Sequence, residues 1–261
     1  MFVGVDLGSR TIKLAAVRDG QLLMTDLAES GFEPHRQALD MLGPFRALGK
    51  RVPTGIVATG YGRHLAEKHF ADRVITEIKA HALGARHLFP ACRTILDIGG
   101  QDSKVISLSA DGRVANFQMN DKCAAGTGRF LEMMAGSLGF SLAEFGRAAA
   151  ASSQTVPINS MCAVFAESEV VSLKNRGLPP ADIARSIHLA VVERVAGMLE
   201  RVGIDGELVF SGGVANNSFL GAELEKRLGV PVRVPQRPDI VGALGAALHA
   251  ESCHQGPAAM P

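Results

Sequence analysis

Two stretches of this chain share one pattern of apolar and polar positions. Phe2 to Asp6, Thr11 to Arg18 and Leu22 to Leu27 read as three short strands, with Asp19-Gly20 supplying the hairpin turn between the second and third. Helical periodicity follows from Gln37 to Leu48. A buried strand Gly55-Ile56-Val57-Ala58 comes next, then Gly60-Tyr61-Gly62 opens a helix through Phe70, and a further helix runs from Glu77 to Leu88. The scheme then recurs, with strands near Thr94 to Asp97, Ser103 to Leu108 and Val114 to Met119, the last two joined by Asp111-Gly112. Helices dominate to about Val202. A strand Glu207 to Phe210 leads into a helix ending at Leu228, and a final helix near Asp239 to Ala250 closes the chain, leaving a tail from Gln255 to Pro261 that is expected to be disordered. Strands followed by alternating strands and helices, in two rounds, predict an α/β protein of two related lobes.

The repetition reaches individual residues. Asp6-Leu7-Gly8-Ser9-Arg10-Thr11-Ile12-Lys13-Leu14 matches Asp97-Ile98-Gly99-Gly100-Gln101-Asp102-Ser103-Lys104-Val105, with Asp, Gly and Lys at the same offsets. In each copy an apolar strand runs into an Asp-x-Gly turn and a second strand leaves through the Lys. The tip of such a hairpin exposes backbone N–H groups and a carboxylate, which is what a phosphate and its cation require. One Asp-x-Gly turn is ordinary turn chemistry; its repetition at fixed offsets points to a phosphate binder with two facing tips. Lys13 and Lys104 either touch phosphates or are strand lysines with solvated heads.

A third glycine turn, Ser211-Gly212-Gly213-Val214-Ala215-Asn216-Asn217, lies between a strand and a helix, where paired glycines let a flat ring or a phosphate approach the backbone. No P-loop and no Gly-x-Gly-x-x-Gly after a first strand occurs, so neither of those nucleotide folds fits. The order Asp-x-Gly, Asp-x-Gly-Gly, Gly-Gly-x-Ala-x-Asn instead resembles the phosphate 1, phosphate 2 and adenosine motifs of the actin, sugar kinase and Hsp70 ATPase superfamily. That resemblance implies duplicated ribonuclease H-like lobes, here residues 1–93 with 239–261 and residues 94–238. It also implies ATP and Mg2+, with Gly8, Ser9, Lys13, Gly99, Gly100, Lys104, Gly126, Gly128, Gly212, Gly213, Asn216 and Asn217 around the nucleotide. Asp6 would hold the magnesium through water, and Asp97 with Gln101 would aim the attacking group. An amide orients water but is a poor base for a hydroxyl, so Gln101 favours hydrolysis over kinase activity.

Composition narrows the setting. The 27 basic and 26 acidic residues balance, which gives no cationic field for nucleic acid or an anionic membrane. Absence of an N-terminal signal pattern and of any long apolar run leads to the expectation of a soluble cytoplasmic protein. In a reducing compartment the four cysteines, Cys92, Cys123, Cys162 and Cys253, are free thiols or metal ligands rather than a disulfide framework. Cys92 begins a core strand and Cys253 falls on the tail, and both read as incidental. Cys123 and Cys162 each stand just before an expected helix, with Asn120 or Asp121 and Asn159 or Ser160 as candidate caps. A helix N-terminus favours a thiolate and an anionic cluster. On the residues alone, ligand and core cysteine remain open for both. Two ligands fall short of the four that a cluster wants, and a two-fold dimer would complete the set.

The segments Asn120 to Glu132 and Met161 to Leu173, with Leu96 to Ile106 and Gly60-Tyr61-Gly62-Arg63, resemble the activator component of 2-hydroxyacyl-CoA dehydratases and the related ATPase subunits of benzoyl-CoA reductases, the BadF/BadG/BcrA/BcrD type. The resemblance runs from Val3 to Leu248, and Ile240-Val241 before Gly242 is its one departure. It implies a homodimer in which Cys123 and Cys162 of both subunits hold one 4Fe-4S cluster. It implies anaerobic electron transfer: ferredoxin or flavodoxin reduces the protein, which hydrolyses ATP and passes a low-potential electron to a dehydratase or reductase acting on a CoA ester. The alternative is a small-molecule kinase of the same superfamily without a cluster.

Overall fold

The structure, a computed structural model, describes residues 1–48, 53–158 and 163–255. Contacts divide the chain into two units. The first comprises the described residues of Met1–Cys92, the hairpin tip Leu108–Val114 and the described residues from Asp239 onward; the second comprises those of Arg93–Ser107 and Ala115–Pro238.

The first unit is built on a sheet of β1 (Phe2–Leu7), β2 (Thr11–Arg18), β3 (Gln21–Glu29), β4 (Gly55–Thr59) and β5 (Arg73–Val74), in the order β3-β2-β1-β4-β5. β1 pairs antiparallel with β2 and parallel with β4. Alternation along β1 sends Val3, Val5 and Leu7 to one face, where α1 (Pro34–Leu48) contributes Ala38, Leu42 and Phe45 and α2 (Arg63–His69) contributes Ala66. The opposite face carries Phe2, with Gly4 and Asp6 in the same alternation, and is covered by α3 (Glu77–Leu88) and α9 (Val241–Gln255). Gly4 is required there, because a Cβ would lie 2.0 Å from the Ala243 carbonyl oxygen. The Asp19-Gly20 turn forms as expected, with both residues at positive φ (51° and 72°), and its two N–H groups donate to the buried Glu251 carboxylate at 2.7 and 2.9 Å.

The second unit repeats the design. β6 (Cys92–Ile98), β7 (Ser103–Leu108), β8 (Val114–Asn120), β9 (Glu207–Ser211) and β10 (Val232–Arg233) form a sheet in the order β10-β9-β6-β7-β8. Substituting β6 for β1, β7 for β2 and so on turns one order into the other. Five helices build its core: α4 (Gly128–Leu138), α5 (Leu142–Ala151), α6 (Ala163–Asn175), α7 (Pro180–Val202) and α8 (Ser218–Leu228). Phe130, Phe145, Ile187, Val195, Phe210 and Leu220 are central to it. Among the described residues no helix is long and apolar enough to cross a membrane.

Two expectations change. Cys253 is not on a tail but within α9, exposed, its sulfur 3.6 Å from His249 Nε2. The final helix starts at Val241 behind a short 3-10 turn, Pro238–Ile240. Of the anticipated tail, Gln255 ends α9 and residues 256–261 lie outside the described residues.

Candidate functional site

The duplicated hairpins agree in register. Asp6 stands opposite Lys13 and Asp97 opposite Lys104; the last pairs before the turns are Leu7 with Ile12 and Ile98 with Ser103. Each turn closes with the same bond, Gly8 N–H to Thr11 O at 3.1 Å and Gly99 N–H to Asp102 O at 2.9 Å. In the first hairpin Lys13 Nζ reaches Asp6 Oδ2 at 3.1 Å, while Gly8 and Ser9 are half-buried at the tip. In the second, Lys104 Nζ lies 3.4 Å from Asp97 Oδ2 and 2.7 Å from Asp102 Oδ2. The solvated-head reading fails for Lys104, whose side chain is 2% exposed. A buried ammonium needs its carboxylates, and here two supply them. Gln101 is exposed at that turn, flanked by the half-buried Gly100.

Asp97 is joined to the third glycine turn. Ser211 Oγ donates to Asp97 Oδ1 at 3.0 Å. Gly212, at φ +89°, sits where a Cβ would be 2.3 Å from Ile98 O and 2.8 Å from Asp97 Oδ1, so only glycine brings β9 this close to the end of β6. The turn continues as a 3-10 helix, Gly213–Asn216, in which Gly213 and Asn216 are exposed. Asn217 caps α8: its Oδ1 accepts from Leu220 N–H at 3.3 Å, and its Nδ2 donates to His188 Nε2 at 2.9 Å. His188 Nδ1–H in turn donates to Ala184 O at 2.7 Å. This fully buried imidazole lies against Phe145 and Phe219, and desolvation pushes its pKa down to about 4 although the Ala184 bond opposes the shift. The neutral, Nδ1-protonated ring is therefore the form that holds Asn217. The Asn217 side chain thus faces the protein interior.

Cys123 is half-buried in the loop between β8 and α4. The helix does not take Asn120 or Asp121 as its cap. Asn120 Nδ2 instead donates to the carbonyls of Cys123 (2.9 Å) and Ala125 (3.2 Å), and the N-cap position is Thr127, whose hydroxyl turns back to Ala124 O at 2.6 Å. Gly126 has φ +90°, and a Cβ there would lie 2.9 Å from Arg194 Cδ, so the small residues after Cys123 make room for this arginine. Gly128 admits the phosphate turn: a Cβ would stand 3.1 Å from Gly99 O, and its N–H donates to that oxygen at 2.9 Å while Arg129 N–H donates to Gly100 O at 2.8 Å. Cys162, with the candidate caps Asn159 and Ser160, lies outside the described residues.

The donor sets suit the implied groups. Around Asp6 the groups that could face a cation include two oxygens, since Lys13 Nζ takes Oδ2 and leaves Oδ1 without a protein donor among the described residues. Gly60, at φ +90°, would place a Cβ 2.4 Å from Asp6 Oδ1, and Thr59, in register with Asp6 on the neighbouring strand, has a buried Oγ1 with no hydrogen-bond partner among the described residues. A hydrated magnesium ion matches carboxylate and hydroxyl oxygens. Cys123 offers one accessible thiol for a cluster. Among the described residues no group of three or more His, Cys, Asp and Glu could hold a metal, so a cluster on Cys123 draws further ligands from elsewhere.

Sequence reasoning passed over Thr59, Gly60 and His188. Gly60 stood in the Gly60-Tyr61-Gly62 motif and could have been read as a close-approach glycine. A buried histidine leaves no periodic signal.

Two acid-rooted hairpins of one design and a glycine turn capping a helix define a duplicated α/β nucleotide-binding fold of the actin and sugar kinase type. A glucokinase of the ROK family from Streptomyces griseus has this fold at 13% identity, with a TM-score of 0.60 over 96% of this chain and 98% of that one. The chain belongs to the BadF/BadG/BcrA/BcrD ATPase family, whose profile matches residues 3–250. It is 41% identical to the (R)-2-hydroxyglutaryl-CoA dehydratase activating ATPase of Acidaminococcus fermentans, over 95% of this chain and 96% of the relative. The activator of the 2-hydroxyisocaproyl-CoA dehydratase from Clostridium difficile, solved with bound ADPNP, superposes with a TM-score of 0.89 at 37% identity over 100% of both chains.

Proposed function

We propose that this protein is an ATP-hydrolysing one-electron donor that activates a 2-hydroxyacyl-CoA dehydratase or a related reductase, using a 4Fe-4S cluster shared across a homodimer. The observation that carries this reading is the pair of backbone bonds from Gly128 and Arg129 to Gly99 and Gly100. They tie the second phosphate turn to the helix that follows the Cys123 loop, so a change at the phosphate is transmitted to the cysteine. The activating role of the A. fermentans relative supports the choice of acceptor. Large exposed apolar side chains close to the cysteines in sequence support a partner copy: Val164 and Phe165, two and three residues after Cys162, are 65% and 66% exposed, and Phe117 on β8 is 52% exposed.

In this reading the N–H groups of Ser9 and Gly100 bind phosphate oxygens, Gly8 and Gly99 close the turns that present them, Lys13 neutralises charge, and Lys104 fixes the second turn. Asp6 would hold Mg2+ through water. Asp97 orients the second turn and Gln101 aims the attacking water. Gly212, Gly213 and Asn216 border the adenosine, and Asn217 shapes that turn by capping α8. Gly126 and Gly128 allow the cysteine loop to lie on the phosphate turn. Cys123 and Cys162 of each subunit would hold the cluster, which supplies a low-potential one-electron carrier. Ferredoxin or flavodoxin would be its electron source, in the anaerobic cytoplasm. The test is purification without oxygen, with iron and acid-labile sulfide measured per dimer and the EPR spectrum taken after dithionite, for wild type and Cys123→Ala. About four irons per dimer, lost in the variant, is the expected result. An iron-free dimer that still turns over ATP would sink the electron-donor reading and promote the kinase.

A further inference from the structure

We infer that His81 is a positioning residue of the Asp6 site, its imidazole edge orienting a solvent ligand of the cation held there. The inference rests on the proposed role of Asp6 as the magnesium-bearing carboxylate, and all of its observations lie within the first unit.

His81 is on α3, 5% exposed, and α3 covers the face of the sheet on which Asp6 lies. Gly242, at the start of α9, marks where the two side chains come together: a Cβ there would stand 3.0 Å from His81 Nε2 and 3.4 Å from Asp6 Oδ2. Any larger residue would fill the space between imidazole and carboxylate, and glycine keeps it open. The geometry is held by backbone contacts on every side. A Cβ on Gly84 would lie 2.1 Å from Val241 O, one on Gly245 1.8 Å from Ala80 O, and one on Gly4 2.0 Å from Ala243 O. Three glycines thus press α3, α9 and β1 together around the same point, with Ala80 directly before His81 and Gly84 three residues after it.

The second observation is Thr59. Its Oγ1 is buried, has no hydrogen-bond partner among the described residues, and belongs to the strand position paired with Asp6. A buried hydroxyl left this way costs stability unless water or a ligand completes it. Lys13 occupies Asp6 Oδ2 at 3.1 Å, and among the described residues Asp6 Oδ1 has no protein donor. His81 Nε2 and Asp6 Oδ2 therefore border the space that Gly242 leaves open, and Thr59, paired with Asp6 in the parallel register, adds an orphaned hydroxyl on the neighbouring strand. A cation bound through water needs its waters oriented by such groups, which act on the metal at one remove.

The experiment titrates a fluorescent probe, methylanthraniloyl-ADP, into the full-length protein with EDTA and then with saturating magnesium chloride, for wild type, His81→Leu, His81→Asn and His81→Gln. The quantity read is the factor by which magnesium tightens binding. In His81→Leu that factor should fall by about 10-fold to 100-fold, the usual effect of losing a group that orients a metal ligand, while binding in EDTA stays at the wild-type level. His81→Gln, which keeps a donor and acceptor at similar reach, should retain most of the factor. His81→Asn, whose amide is too short to reach the space, should lose it, and this variant carries the test if His81→Leu does not fold. An unchanged factor in the Leu or Asn variant, or an equal loss with and without magnesium, overturns the inference while leaving the Asp6 reading standing. A wild-type protein whose nucleotide affinity ignores magnesium overturns both.

Discussion

Acidification should destabilise the second unit through His188. The ring is neutral when folded, with a pKa near 4, and takes up a proton near pH 6.5 when unfolded. Between those values the unfolded chain binds one proton more than the folded chain, so stability falls as pH falls and is complete again only above about pH 6.5. At about pH 5 the unfolded histidine is almost fully charged and the folded one is not, which corresponds to about 2 kcal/mol; by about pH 4 the loss approaches 3 kcal/mol. That is a large share of a domain's stability. The assay is urea unfolding followed by circular dichroism at about pH 7 and about pH 5, for wild type and His188→Gln. Gln accepts a hydrogen bond from Asn217 but does not titrate. Carboxylates contribute equally to both proteins, so the difference between their pH slopes isolates the imidazole. Wild type should lose about 2 kcal/mol more than the variant over this interval. Parallel slopes, or a His188 ring resonance that titrates near pH 6.5 by NMR, would refute the assignment of a buried neutral imidazole.

The remaining expectations concern the hairpins and the third glycine turn. Lys104→Met strips the cation from Asp97 and Asp102 in a site 2% exposed and should destabilise the protein by about 3 to 5 kcal/mol in urea titration; Lys13→Met, where the lysine side chain is 16% exposed, should cost clearly less. Gly212→Ala forces a Cβ to within 2.3 Å of Ile98 O at φ +89°, and should abolish methylanthraniloyl-ADP binding while the circular dichroism of the protein is retained. Gln101→Ala, at an exposed turn position, should leave the thermal midpoint unchanged and lower the rate of ATP hydrolysis by about 10²-fold, the scale of a lost positioning group; wild-type turnover in this variant would remove Gln101 from the mechanism.

Where the chain carries a repeated signal, the sequence could be read almost to the residue. The strands Thr11–Arg18 and Ser103–Leu108 and the helices ending at Leu88 and Leu228 fall where periodicity and turn residues put them. What the matching offsets of Asp and Lys did not announce is that the register sets each Asp opposite its Lys, which engages a lysine that the sequence left between phosphate contact and a solvated head. Features resting on a few residues were hidden. Arg73–Val74 and Val232–Arg233 are two-residue edge strands, too short for an alternation to register. The cap of α4 misled because Asn120 is an ordinary cap residue in the wrong place: its amide is engaged by carbonyls of the cysteine loop and Thr127 takes the capping position. Gly242 drew notice only for the residues before it. Its importance comes from what stands opposite, His81 and Asp6, and proximity between residues so far apart in sequence follows from topology alone.

The two hairpins share residues but not circumstances, and that difference assigns their work. Both oxygens of Asp97 are engaged, one by the Ser211 hydroxyl and one by the Lys104 ammonium, and its side chain is 3% exposed. A carboxylate so saturated is a structural anchor: it binds the end of β6 to the third glycine turn and cannot also coordinate a hydrated ion without losing a partner. Asp6 accepts Lys13 on one oxygen, is 9% exposed, and has Gly60 and Gly242 keeping the space around it clear. It retains the capacity that Asp97 has lost. If duplication produced both hairpins, the first has kept a carboxylate open to a cation, while in the second the acid has become scaffold and the exposed Gln101 at the tip is the group left facing water. A neutral amide there can aim a water molecule without competing for a metal, so under the proposed function the preference for hydrolysis follows from the burial of its neighbour.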